Sequence, residues 1–190
     1  MGRGSRPTIY LVLIGSAILA AAGMGWYVAR QSTDNGPTTL SSPGDEAQAL
    51  EKRQVYLYFG DGQGRYLKAE ARVVDQPADA GAFCRKILLA LFDGPRQGSI
   101  SVLPREIGIR ALHLTGEGVA YLDFEPGSFI NHPGGVESEL LSIYAIVNTL
   151  VLNVDGVRSV KFLIGGKEAV TLAGHVDLSH PFEADILRVR

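Results

Sequence analysis

The chain has 190 residues, is 46% hydrophobic, sets 18 Lys and Arg against 20 Asp and Glu, and contains one cysteine. That length holds one ordinary domain with additional segments. The single cysteine excludes an intramolecular disulfide framework, and the faintly acidic balance argues against nucleic acid, which rewards a basic face.

Residues 9–28, IYLVLIGSAILAAAGMGWYV, carry no charge and match the ~20 residues that cross a bilayer core. Arg3 and Arg6 precede this run, and only Arg30 is basic between it and Lys52. The positive-inside bias therefore predicts a cytoplasmic N-terminus over 1–8, a single transmembrane signal anchor over 9–28 and an exported remainder. A cleaved signal peptide is the rival reading, with small residues at Ala20–Gly23. The apolar run, however, exceeds the ~7–15 residues of a signal h-region. A lipid anchor is disfavoured because Cys84 stands far downstream, where burial as a small apolar residue is expected.

Residues 29–53 contain two prolines with scattered Ser, Thr and Gly, which reads as a flexible linker, with a helical turn expected near Glu46–Lys52. The folded domain is expected over 54–183, followed by a C-terminal tail, 184–190. VYLYF, GDGQG and RYLKAEARVV spell strand, turn and antiparallel strand. Asp79 caps a helix running to Phe92, with Phe83, Ile87, Leu88 and Leu91 on one face and DGP as its stop. IGIRALHLT and GVAYLDF flank Gly116-Glu117-Gly118 as a second hairpin.

NHPGG then leads into a second helix, VESELLSIYAIVNTLV, apolar beyond a single stripe. A helix of that kind is buried on most sides or packs against a partner as well as its own sheet, and burial is the favoured reading. Its one odd polar member, Asn148, would cap a neighbouring backbone group. VRSVKFLI, a Gly165-Gly166 turn and KEAVTL complete the order β-β-α-β-β-α-β-β. That order predicts an α+β fold: a mainly antiparallel sheet of five or six strands with two helices on one face.

The candidate sites are few. Gly134 and Gly135 open a helix, a setting that suits phosphate. Yet Glu137 and Glu139 already answer the helix dipole there, and the phosphate-loop and dinucleotide patterns are absent. His175, Asp177 and His180 in HVDLSH lack the spacing of a zinc helix, while His113 falls in a strand and His132 in a loop. Asp123 and Glu125 are two apart, so their carboxyls could approach as a glycosidase pair. No G-x-S-x-G elbow exists.

Taken in order, VYLYFGDGQGRYL, LLALFDGP, GVAYLDF, PGGVESELLSIYAIVNTL and VRSVKFLIGGKEAVTLAGHVDLSHPF resemble the GerMN domain, found in sporulation and spore-germination proteins and other bacterial envelope proteins. The resemblance covers Val55 to Phe182. It implies an extracytoplasmic, non-enzymatic module, similar in fold to the ring-building modules of secretion systems, that packs against other proteins or itself. It assigns no catalytic, cofactor or metal residue. The expected location is the bacterial inner membrane, single-pass, with the domain periplasmic. The expected partners are the membrane and envelope proteins or a second copy, and no nucleic acid. The alternative is a peptidoglycan-binding or hydrolysing protein, for which Asp123, Glu125, His175 and Asp177 are the only polar candidates.

Overall fold

The computed structural model describes residues 51–190; the predicted anchor and the helical turn predicted from Glu46 lie wholly or mainly outside them. Among the described residues, no helix is long and apolar enough to cross a membrane. The chain forms β1 (Glu51–Gly60), β2 (Leu67–Gln76), α1 (Ala80–Phe92), β3 (Ile109–Leu114), β4 (Val119–Phe124), α2 (Val136–Val151), β5 (Ser159–Ile164), β6 (Lys167–Glu168), β7 (Phe182–Glu183) and a 3-10 helix, Ile186–Arg188. This is the predicted order up to β6, in an α+β fold.

Two boundaries differ from the sequence reading. Residues 51–53, read as linker, begin β1 and pair with Val74–Gln76. Residues 184–190, read as a tail, close on the domain. Val189 bridges Leu67, and Arg190 N–H donates to the Leu67 carbonyl at 2.9 Å. The Arg188 guanidinium lies 5.2 Å above the Tyr144 ring.

The strands divide into two sheets rather than one. β1 and β2 form a two-stranded ribbon, and β3-β4-β5-β6 with β7 on β5 form a five-stranded sheet. The reason lies on the free edge of β1, which Thr149 of α2 and Asn153 just beyond it close with side chains instead of a strand. Tyr58 N–H donates to Thr149 Oγ1 at 3.2 Å, Tyr56 N–H to Asn153 Oδ1 at 2.8 Å, and Asn153 Nδ2 to the Tyr56 carbonyl at 2.7 Å. Gly60 exchanges both backbone bonds with Ile100. An edge satisfied in this way has little left to offer another strand.

Pairing is antiparallel except between β4 and β5, which run parallel because α2 is the crossover between them. From Glu139 to Leu150 only Leu140 and Tyr144 are not fully buried. Leu141 and Ala145 pack with Tyr58 and Leu67 of the ribbon. Ile143, Ile146, Val147 and Leu150 join one core with Leu57 and Phe59 of β1, Ile87 and Leu91 of α1, and Phe124 and Phe162 of the large sheet. The apolar breadth of α2 is thus used largely inside the domain. Asp79 caps α1 as expected, its Oδ1 accepting from Ala82 N–H at 2.7 Å. Cys84 is fully buried, and burial pushes its thiol up to about 11.

Candidate functional site

The loop leading into α2 is tied down by several polar side chains. Gly134 and Gly135 both adopt positive φ, 76° and 85°, which only glycine tolerates readily. Their N–H groups are taken by two imidazoles. Gly134 N–H donates to His132 Nδ1 at 3.0 Å and Gly135 N–H to His175 Nδ1 at 3.3 Å. Two N–H groups of the glycine approach are therefore bonded within the domain.

Glu139, expected to complement the helix dipole, is fully buried. Its Oε1 accepts from Leu172 N–H at 2.7 Å and Ala173 N–H at 2.9 Å, and its Oε2 from His175 N–H at 2.9 Å. Burial pushes this carboxyl up, but the cradle of N–H donors outweighs burial and holds it below the ordinary value. Glu137 does remain exposed, 3.4 Å from Arg188. The spacing held a clue to Glu139. It stands four, seven and eleven residues before Ile143, Ile146 and Leu150, on their buried stripe.

Asp123 and Glu125 do not converge. Asp123 on β4 is buried, bonded to Arg110 at 2.6 Å and to Gly166 N–H at 2.9 Å. Burial raises its carboxyl, and the Gly166 N–H and Arg110 bring it below the ordinary value. Glu125 lies past the strand end and is exposed. Asp177 accepts from Ser179 N–H and Oγ, each at 2.9 Å, and His180 Nδ1 meets the same Oγ at 2.8 Å. That is a local turn, and His113 is exposed on β3. Among the described residues, no three His, Cys, Asp or Glu side chains are grouped to hold a metal.

One Ser–His contact superficially suggests a nucleophile, with His132 Nε2 2.9 Å from Ser142 Oγ. Its polarity is wrong for one. His132 Nδ1 is already an acceptor, so Nε2 carries the proton and donates. Ser142 is fully buried on α2 and bonds onward to the Val102 carbonyl. Burial pushes the His132 imidazolium down, the Glu139 carboxylate partly offsets this, and His175 adds to the depression.

A third buried acid repeats the theme. Glu70 on β2, paired with Arg72, accepts from Arg96 N–H at 3.0 Å and Gln97 N–H at 3.1 Å. Burial raises its carboxyl, and the Arg96 N–H and Arg72 outweigh that and lower it. Asn148 bonds both backbone groups of Asp185, donating to O at 3.0 Å and accepting from N–H at 2.9 Å. Sequence reasoning foresaw that backbone cap but missed Glu70, whose alternation with Arg72 and Val74 was its only signal.

Beside the loop opens a cleft of about 710 Å³ lined by Ile100, Val102, Pro104, Arg105, Pro133 and Glu137, among others. Glu137 also borders a second cleft of about 540 Å³ with Arg65, Tyr66, Asp185 and Arg188. None of Asp123, Glu125, His175 and Asp177 lines either one.

Fold and site together define a class: a small α+β module whose buried acids and amides hold its own loops and strand edges. The chain belongs to the Germane family, described as sporulation and spore germination, whose model matches residues 56–170. No curated protein matches the chain. Among solved structures, the tandem GerMN domains of the sporulation protein GerM from Bacillus subtilis align with a TM-score of 0.55 at 20% identity, covering 70% of this chain and 46% of that one. The chain thus spans about half of the tandem protein. A Clostridium perfringens protein, provisionally described as a lipoprotein, aligns with a TM-score of 0.50 at 17% identity over 71% and 88% of the two chains. At these identities the two structures speak to the fold, which is the GerMN fold.

Proposed function

We propose that this chain is a membrane-anchored, extracytoplasmic GerMN protein that acts as a non-enzymatic assembly module in the bacterial cell envelope, in sporulation or germination. The family match carries this reading. The uncharged run over 9–28, with Arg3 and Arg6 before it, supports the anchor and the export of the domain. The engagement of Asp123 and Glu139 with backbone N–H groups supports a structural rather than a chemical use of the buried acids.

In-membrane crosslinking of the full-length chain, with light scattering on the purified protein, tests the assembly role. The expected result is a discrete crosslinked species, with itself or with an envelope protein. A strict monomer without neighbours would overturn it. Binding and digestion assays on purified peptidoglycan address the alternative, and activity lost in Asp123→Asn with the fold intact would replace this reading. Protease added to spheroplasts is expected to cleave the domain, and full protection would refute its exported location.

A further inference from the structure

The histidines that stitch the lead-in loop of α2 carry a consequence beyond its packing. A backbone N–H that points at Nδ1 needs a lone pair there. The Gly134 and Gly135 bonds therefore use the Nδ1 lone pairs of His132 and His175, an arrangement that a neutral ring with its proton on Nε2 provides. The His132 proton passes a hydrogen bond to Ser142 Oγ, which bonds to the Val102 carbonyl at the wall of the cleft.

His175 has a second neighbour. Glu139 Oε2 lies 3.4 Å from the same Nδ1 that accepts from Gly135. A proton on that nitrogen turns an acceptor into a donor. It repels the Gly135 N–H and attracts the Glu139 carboxylate. His175 is therefore set between two partners, one for each protonation state. We propose that His132 and His175 form a pH-operated latch on the loop before α2, closed while both rings are neutral. Protonation releases Gly134 and Gly135, and His175 passes from Gly135 to Glu139.

The charged groups around the latch come from three directions. Glu139 faces it from α2, and each ring faces the other across Gly134, where a Cβ would lie 3.6 Å from His175 Cε1. Glu137 at the start of α2 and Arg105 and Glu106 of the 100–106 segment border the cleft beyond Pro133. Asp177, on the His175 side, is tied to Ser179. Glu139 is the acid in reach of a protonated ring. Its Oε2 lies 3.4 Å from His175 Nδ1. Asn131 and Pro133 line the cleft, so release of the following glycines moves its rim. The latch is a property of the fold and does not depend on which partner the domain meets.

The test is an NMR titration of the ¹⁵N-labelled full-length chain from pH 8 to pH 4.5. At pH 8 both rings are expected as Nε2–H tautomers. On acidification the Gly134 and Gly135 amides should move with the midpoints of His132 and His175, their protection factors falling at least tenfold while those of β5 hold. An Nδ1–H tautomer on either ring at pH 8, or glycine amides flat across the histidine titrations, would overturn the latch. In His132→Asn with His175→Asn, the asparagine Oδ1 can take the place of Nδ1 without titrating. Loss of the pH response in that double variant supports the latch, and its persistence refutes it. Should the variant not fold, the wild-type titration decides alone.

Discussion

Glutamine at position 139 tests most directly the idea that buried acids hold the loops of this domain. The carboxylate accepts two N–H groups on Oε1 and one on Oε2. Bonds to a charged acceptor stabilise by about 1.5–3 kcal/mol each, roughly twice a neutral bond. Glutamine keeps the Oε1 pair as neutral bonds, a loss of about 1 kcal/mol each, and turns an NH₂ toward the His175 N–H, which costs about 1–3 kcal/mol. Burying an amide instead of a charge offsets part of this. We expect a net loss of roughly 2–3 kcal/mol at pH 7. In a urea titration of the full chain the midpoint should fall by about 1–2 M with an unchanged slope.

The pH dependence is a second arm of the same experiment. The folded carboxyl lies below its ordinary value. Its contribution is therefore present above the unfolded pKa, about 4.3, and is lost as pH falls through the folded value. Glutamine does not titrate, so the gap between the two proteins should be full at pH 7 and narrow below about pH 4. A gap under about 0.5 kcal/mol at pH 7 would refute the cradle as a support. So would a gap that does not change down to pH 3.5.

Three further outcomes follow from the same geometry. Asn148→Ala leaves both backbone groups of Asp185 without their partner, and should cost about 1–3 kcal/mol and open residues 185–190 to hydrogen exchange and carboxypeptidase; unchanged exchange at Asp185 would contradict this. Gly118→Ala should be more destabilising than Gly156→Ala by about 1–3 kcal/mol in urea denaturation, although both sites have φ near 85°. A Cβ at 118 would lie 2.4 Å from the Gly156 carbonyl oxygen, whereas one at 156 meets nothing within 4 Å. Cys84, buried and with its thiol pushed up to about 11, should resist a thiol reagent at pH 8 in the native protein and react within minutes in urea.

Local chemistry alone determined much of this protein. Asp79 before an apolar three- and four-residue repeat defines α1, and the glycine turns at 116–118 and 165–166 set the hairpins. The breadth of apolar residues on VESELLSIYAIVNTLV marks a helix enclosed on most sides. These are legible because helix caps, turns and amphipathic periods act over a few residues.

What the sequence could not settle depends on which distant backbone a side chain meets. Thr149 and Asn153 look like ordinary polar residues near a helix end, yet they occupy the edge of β1 and thereby split one expected sheet into two. Glu139 and Glu70 look like surface acids until loops at 172–175 and 96–97 present N–H groups to them. Residues 184–190 have no clear period of their own, and the amide of Asn148, the ring of Tyr144 and the backbone of Leu67 show where they belong. A buried polar group is stable only when its partner arrives with it, and that partner is chosen by the packing of the whole domain.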